Sequence, residues 1–393
     1  MDFLKHVLLF IFAAIIISST LFCSTVQARH REKPQNTVTE EVKNDKSKVN
    51  AQAIGAGRKH LAGSFKTQIN KMTNWPVKRI DKGGTLLFSD SPETVYQDGI
   101  LYEDTISGKG RLYYYHVNGT EEDKKVVVML TNTNKEKSVN FHITRSAEAG
   151  PSADYLYVGK TSQLRYFGYQ IPQDIFIDKD SARILDGRTN NILVKKDELV
   201  CGIYDFETKS PVKITVMMLP LNEDPYTFMK TASVLLKDDS RLRGTFKNMD
   251  RVLQGEKRYN PENDGTVYFT IADDRDDAYL TGVDATDGSS VKNYGNYGIL
   301  YYLDIPMSGM GKVHYYLQPL GGVYAGAMSV QINDAINFNV LPTPSERAFF
   351  GENLREDYYA DLGVYGARDS LLFKYSPPGA SNLPVKIILS PER

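Results

Sequence analysis

From Gly83 onward the chain is a succession of short β-branched and aromatic runs, each stopped by glycine or by an Asn/Lys turn. That rhythm constrains the fold more than any other feature, since runs of about four to eight such residues between turn residues specify strands. Thr85-Leu86-Leu87-Phe88 is one run and Arg111-Leu112-Tyr113-Tyr114-Tyr115-His116-Val117 another. Lys125-Val126-Val127-Val128-Met129-Leu130 and Ser138-Val139-Asn140-Phe141-His142-Ile143 flank the polar segment 131–137, which predicts a hairpin. Pro211 to Met217 alternates with period two, the pattern of a strand with one buried face. The abundance of tyrosine (25) and glycine (30) fits strands and tight turns better than helices. Only 221–261 reads differently. Asp224-Pro225 is an N-cap followed by proline at the first helical position, and Phe228, Ala232, Leu235 and Leu236 follow near helical spacing. Asp250-Arg251-Val252-Leu253 reads as a second short helix.

The runs also echo one another in order. Gly84-Thr85-Leu86-Leu87-Phe88 returns as Gly265-Thr266-Val267-Tyr268-Phe269, and Gly99-Ile100-Leu101-Tyr102 as Gly298-Ile299-Leu300-Tyr301. Ser107-Gly108-Lys109-Gly110 returns as Ser308-Gly309-Met310-Gly311, Val139–Ile143 as Ile336–Val340, and Pro211-Val212-Lys213-Ile214 as Pro384-Val385-Lys386-Ile387. The expectation is an all-β protein of two tandem, duplicated β-sandwich-like domains, 83–220 and 262–393, joined by a partly helical connector, 221–261. The competing explanation is shared turn chemistry, because glycine tolerates positive φ wherever it falls.

Ahead of these domains, Lys5 and His6 precede an apolar run from Val7 to Phe22, and Val26-Gln27-Ala28 has the small-residue pattern of a cleavage site. Residues 1–28 therefore read as a secretory signal cut after Ala28. The apolar run is shorter than the roughly 20 residues of a spanning helix, though a retained anchor is the alternative. Phe22 is too bulky for lipidation at Cys23. Residues 29–60 hold few large apolar side chains and read as a disordered tether. The mature chain would then carry one cysteine, Cys201, expected as a small buried apolar residue. With no internal disulfide available, stability must come from core burial. The net charge of −1 argues against nucleic acid, whose phosphates demand a basic excess. The expectation is a secreted or cell-envelope protein with no spanning segment after cleavage.

No pattern of catalytic or zinc-ligating residues is present. The six histidines form no H-x-x-H or H-E-x-x-H, and neither a G-x-S-x-G elbow nor a phosphate-cradling glycine loop occurs. Ser210 and Lys213 match S-x-x-K only formally, since a strand places them on opposite faces. The strongest candidates are the acids Asp273, Asp274, Asp276 and Asp277, with Asp284 and Asp287 as a weaker calcium candidate. Beside them Tyr297, Tyr301, Tyr315 and Tyr324 could stack on sugar rings while the acids bond hydroxyls. In the pairs Tyr301-Tyr302 and Tyr315-Tyr316 strand geometry turns one ring outward. The leading expectation is a non-enzymatic envelope protein that binds cell-wall or surface glycan. The alternatives are a carbohydrate-active hydrolase using carboxylates of 273–287, and a purely structural coat component.

Four phrases carry a resemblance. Leu87-Phe88-Ser89-Asp90-Ser91-Pro92-Glu93, Ala149-Gly150-Pro151-Ser152-Ala153-Asp154-Tyr155, Gly295-Asn296-Tyr297-Gly298 and Ser376-Pro377-Pro378-Gly379-Ala380-Ser381-Asn382-Leu383-Pro384 resemble an uncharacterised family of secreted bacterial β-sandwich proteins. Relatives of that type often carry a non-catalytic copper amine oxidase N-terminal-like module; here the polar tether takes its place. The resemblance spans 83–393 and implies export and an envelope role. It implies no copper chemistry and supplies no functional residues.

Overall fold

Two strands of unusual length organise the N-terminal half. Gly99–Asn118 and Leu199–Pro220, of 20 and 22 residues, pair antiparallel along nearly their whole length. The structure, a computed structural model, describes residues 72–352 and 359–392, so the leader and tether lie outside the described residues. The described residues are mostly strand and form sheets of eleven, six and five strands. The all-β expectation holds.

The eleven-stranded sheet is built on the long pair. Thr85–Ser89 lies parallel to Gly99–Asn118, while Lys124–Asn132 and Val139–Ser152 both lie antiparallel to Leu199–Pro220. The expected hairpin is therefore absent. Lys124–Asn132 pairs with Lys213–Pro220 and Val139–Ser152 with Leu199–Thr208, so the two run end to end in one direction. The polar segment between them steps past a bulge at Thr208/Val212 instead of reversing the chain. Buried Asn132 pins that step, donating to the carbonyls of Lys137, Ile177 and Asp178. The period-two stretch after Pro211 is also buried on both faces at its end. Ile214, Val216 and Met218 enter one apolar cluster, Met217 and Leu219 another.

The other two sheets share one core. A cavity of about 10 Å³ between them is lined by Phe269, Tyr315 and Ile387 from one and by Leu303, Leu371 and Phe373 from the other. These sheets do not divide where the sequence was divided. Val77–Lys82 and Asp250–Gly255 complete the six-stranded sheet, while Thr281–Val283 and Ser290–Lys292 extend the eleven-stranded one. The connector carries the expected helix, Pro225–Thr231, capped by Asp224. The expected helix at 250–253 is instead the strand Asp250–Gly255, because Arg251 and Leu253 point inward while Val252 and Gln254 point outward.

The echoed segments do not pair alike. Thr85–Ser89 is parallel to the long strand, whereas its counterpart Val267–Ile271 is antiparallel to Val385–Glu392. Lys213 faces Thr105, but its echo Lys386 faces Gln318. What the echoes do share is backbone: Gly108 and Gly309 both adopt positive φ, 84° and 82°.

A helix the sequence reading missed, Tyr155–Phe167, packs on Val139–Ser152, on Leu199–Pro220 and on the strand Gly326–Ile332. Asp154 caps it by accepting the Tyr157 N–H, and Gly168 ends it. Its buried stripe includes Gly159, Ser162 and Gln163, so it carries little hydrophobic periodicity. Cys201 is buried, as expected, and burial pushes its thiol up to about 12. Tyrosine abundance has a core explanation. Tyr102, Tyr113, Tyr166, Tyr259, Tyr301, Tyr324 and Tyr375 are all fully buried, each a gain of about 1.5–3 kcal/mol on the scale of a buried large side chain.

Candidate functional site

The acids singled out by sequence are mostly engaged by cations of the fold. Asp277 is fully buried; its Oδ1 takes Arg251 at 2.6 Å, and its Oδ2 takes the Tyr301 hydroxyl at 2.8 Å and the Ala272 N–H at 2.7 Å. Asp273 accepts the N–H groups of Arg275 and Asp277, shaping the turn. Asp274 pairs with Lys292 at 2.6 Å, which holds its carboxyl below the ordinary range, and Asp276 accepts from Asn74 at 3.3 Å. The calcium candidates are likewise turned toward cations: Asp284 meets Arg243 at 2.9 Å and Lys237 at 3.2 Å, and Asp287 meets Lys237 at 2.7 Å. Among the described residues no group of three or more His, Cys, Asp or Glu side chains is gathered to hold a metal.

The tyrosines fare similarly. Tyr301, Tyr315 and Tyr324 are core residues, which removes them as a stacking surface. Alternation does turn Tyr302 outward from Tyr301, but Tyr315 and Tyr316 are both buried, since Tyr359 and Met72 cover the second face. Half-buried Tyr297 leads elsewhere. Its ring stacks on Phe88 at 6.4 Å, and its hydroxyl donates to the Ser381 carbonyl at 2.7 Å.

At Tyr297 three of the four phrases of the resemblance come together, through Phe88, Tyr297 itself and Ser381. Gly379 lies against the Tyr115 ring and the Tyr113 hydroxyl, where a Cβ would stand 2.7 Å and 2.9 Å away. On the helix, a Cβ at Gly159 would reach the Gly379 carbonyl at 2.0 Å, so this crossing admits only glycine. The loop 89–93 is tied down on all sides. Ser91 Oγ donates to Asp238 at 2.7 Å, and the Glu93 N–H donates to its other oxygen at 2.8 Å. His116 Nδ1 donates to the Pro92 carbonyl at 2.9 Å while its Nε2 accepts from Ser89 at 2.8 Å.

Within this frame Asp90 is exceptional. It is 8% exposed, and its buried Oδ1 has no hydrogen-bond partner. Burial first, then Glu93 and Asp238, push its carboxyl well above the ordinary range. Half-buried Glu93 is raised by burial and then by Asp238. Asp238 goes the other way: burial raises it, but hydrogen bonds from Ser240, the Glu93 N–H and Ser91 outweigh that and lower it. One carboxylate is thus held ionised beside two held toward the neutral acid. Tyr115 and Tyr155 both feel Glu93, and Tyr155 also feels Tyr96, which is 75% exposed at the rim.

A carboxyl raised by burial destabilises the fold once it ionises, so Asp90→Asn is expected to be more stable than wild type at neutral pH. The advantage should shrink as pH falls below the raised value of the folded carboxyl and be gone only below the ordinary aspartate value of 3.8, where the unfolded Asp90 is protonated too. Melting temperatures at pH 7.5 and pH 4.5 check this; a lower value for the variant at pH 7.5 would mean that Asp90 is a structural anion. Sequence reasoning passed over this loop because no pattern marks it. The available signal was two acids flanking Ser-Pro at a strand end.

Compared with protein-family models and with curated proteins, the chain matches none. Among solved structures it is matched to a Paenibacillus xanthan lyase at 8% identity and a TM-score of 0.19, over 81% of this chain and 26% of the lyase. The chain thus spans about a quarter of that protein's length.

Proposed function

We propose that this is a non-enzymatic glycan-binding protein that works outside the cytoplasm, at the cell surface, with the Asp90–Glu93 face as its sugar site. The observation that supports the reading most is half-buried Glu93, its carboxyl raised by burial and by Asp238, three residues from Tyr96, which is 75% exposed. A half-buried carboxyl such as Glu93, already partly stripped of water, offers a sugar hydroxyl an acceptor at the surface. An exposed aromatic ring gives a pyranose face an apolar platform, and polar groups beside it fix its orientation. The leader of residues 1–28 supports export. Among the described residues no helix is long and apolar enough to cross a membrane. Cavities of about 10 and 20 Å³ lie away from Asp90 and Glu93 and are too small for a sugar ring, so the reading rests on an open face.

Titration of the purified protein with cell-wall glycan and soluble polysaccharides, with and without calcium, tests the reading. Saturable binding is expected, weakened about tenfold or more by Tyr96→Ala and by Glu93→Gln, the equivalent of about 1.4 kcal/mol each. Thermal unfolding should remain cooperative in both variants. Absence of binding to every glycan, or binding indifferent to both changes, would overturn it and leave a structural coat role. The raised carboxyls of Asp90 and Glu93 favour one second reading, glycoside hydrolysis, because a general acid at neutral pH needs such a shift. New reducing ends released by wild type and not by Glu93→Gln would establish that reading instead.

A further inference from the structure

A second surface, on the outer face of the six-stranded sheet, gathers cations that form no close ion pair with a carboxylate among the described residues. Lys374 and Tyr302 face each other across adjacent strands, and Tyr302, Val252 and Ile80 continue the same row. The row spans three inter-strand steps, about 14 Å at about 4.8 Å per step. All four side chains are partly exposed. Lys374 Nζ lies 3.8 Å from the Phe338 ring centre and 5.5 Å from that of Tyr302, while exposed Lys82 reaches the Tyr302 ring at 4.5 Å. Arg145 lies close by. After burial, its guanidinium is the next cause that depresses the Lys374 ammonium. Its own polar contact is the Tyr166 carbonyl, and its guanidinium stacks 5.3 Å from the Tyr166 ring.

Among the described residues none of these three cations forms an ion pair with a carboxylate. Asp250 lies across from Lys82 and within its field, and Asp250 and Asp205 both act on Lys374, but the short bonds of both acids go to Arg111, so four cations share two carboxylates here. Lys82 and Lys374 around the Tyr302 ring, with Arg145 near Lys374, repel one another, and cation–π contact offsets only part of that. An anion placed among them removes the repulsion.

We infer that this face binds a carboxylate-bearing polysaccharide, with a sugar ring on Tyr302 and its acid group between Lys82 and Lys374. The apolar row favours a ligand with flat apolar faces as well as charge, which a sugar acid has and a bare polyphosphate lacks. Asp250 and Asp304 on the same face disfavour a densely charged polyanion such as nucleic acid. This site shares no residue with the Asp90 face and stands or falls without it.

The purified protein should be titrated with polygalacturonate, with uncharged dextran and with polyphosphate, at 50 mM and at 300 mM NaCl. Polygalacturonate is expected to bind, more weakly at the higher salt, and in preference to the other two polymers. The double variant K82A/K374A should weaken it at least tenfold. Tyr302→Ala should weaken it and Tyr302→Phe should not. Because Lys374 is partly buried, K82R/K374R serves as the folded control that keeps the charge and the affinity. Equal binding of polygalacturonate by wild type and K82A/K374A would overturn the proposal. So would equal binding of dextran, tighter binding of polyphosphate, or loss of binding in Tyr96→Ala alone, which would move the polymer to the other face.

Discussion

Replacing Arg111 by alanine is expected to cost about 3–5 kcal/mol of stability, the penalty of breaking a buried ion pair from one side. Arg111 is 2% exposed and faces Asp205 directly across the long strand pair. It holds Asp205 at 2.6 Å and 3.0 Å, Asp250 at 3.1 Å, and the carbonyls of Met249 and Gly298 at 2.7 Å and 3.0 Å. One guanidinium therefore ties the eleven-stranded sheet to a strand of the six-stranded sheet and to the turn that carries Tyr297. The Tyr166 hydroxyl joins the same network through Asp205 at 2.8 Å. The variant takes the guanidinium from buried Asp250 and half-buried Asp205 and leaves the carbonyls of Met249 and Gly298 without that donor. Urea unfolding should show the midpoint falling with little change in slope. Adding Asp205→Asn and Asp250→Asn to an Arg111→Met variant should recover part of the loss, because the orphaned charges are gone. A single-variant loss below about 1 kcal/mol would place the network among surface pairs that contribute little.

The sheet interior was legible in the sequence because β-branched and aromatic runs have one main use. The helix cap at Asp224-Pro225 was legible because both residues act locally on the backbone. What failed depended on distant partners. Asn132 and Lys137 look like a reversing turn, yet the chain goes straight on, because a single strand of 22 residues offers both neighbours a continuous edge. The helix Tyr155–Phe167 hides in its sequence because the stripe it buries is made of glycine, serine and glutamine as much as of apolar residues. The site was the least legible part. Asp277 and Asp90 are both aspartates beside strand ends, and the sequence reading chose the first for its acidic neighbours. Arg251 neutralises Asp277, whereas Asp90 Oδ1 has no partner, and those partners lie far along the chain. The same holds for the tyrosines. Tyr301 and Tyr302 are adjacent, and only strand pairing decides that one fills the core and the other faces Lys374.

His116 supplies the second large effect, and it is a pH effect. The ring is fully buried between Ser89 and Pro92, and burial lowers its pKa from 6.5 to about 4. Between those values the unfolded chain binds a proton that the folded chain refuses. Stability contributed by the neutral ring is therefore complete above pH 6.5 and is lost as pH falls toward 4. The full loss is about 3 kcal/mol, and about 2 kcal/mol of it should be gone by pH 5. Asp90, Glu93, Glu148 and Asp250, all raised, act with the opposite sign as they protonate, so the wild-type curve alone mixes the two. The difference between wild type and His116→Gln isolates the imidazole. The variant should be less stable at pH 7.5, where it loses the ring's packing and hydrogen bonds, and the gap should narrow steadily between pH 6.5 and pH 4.5. A gap constant across that range would mean that the buried ring accepts its proton without penalty. In the folded protein the ring takes its proton only near pH 4, where Nε2 can no longer accept from Ser89 and the loop that runs on to Pro92 and Glu93 should loosen. Glycan affinity at the Asp90 face should therefore hold between pH 6.5 and about pH 5 in wild type and fall only as pH approaches 4.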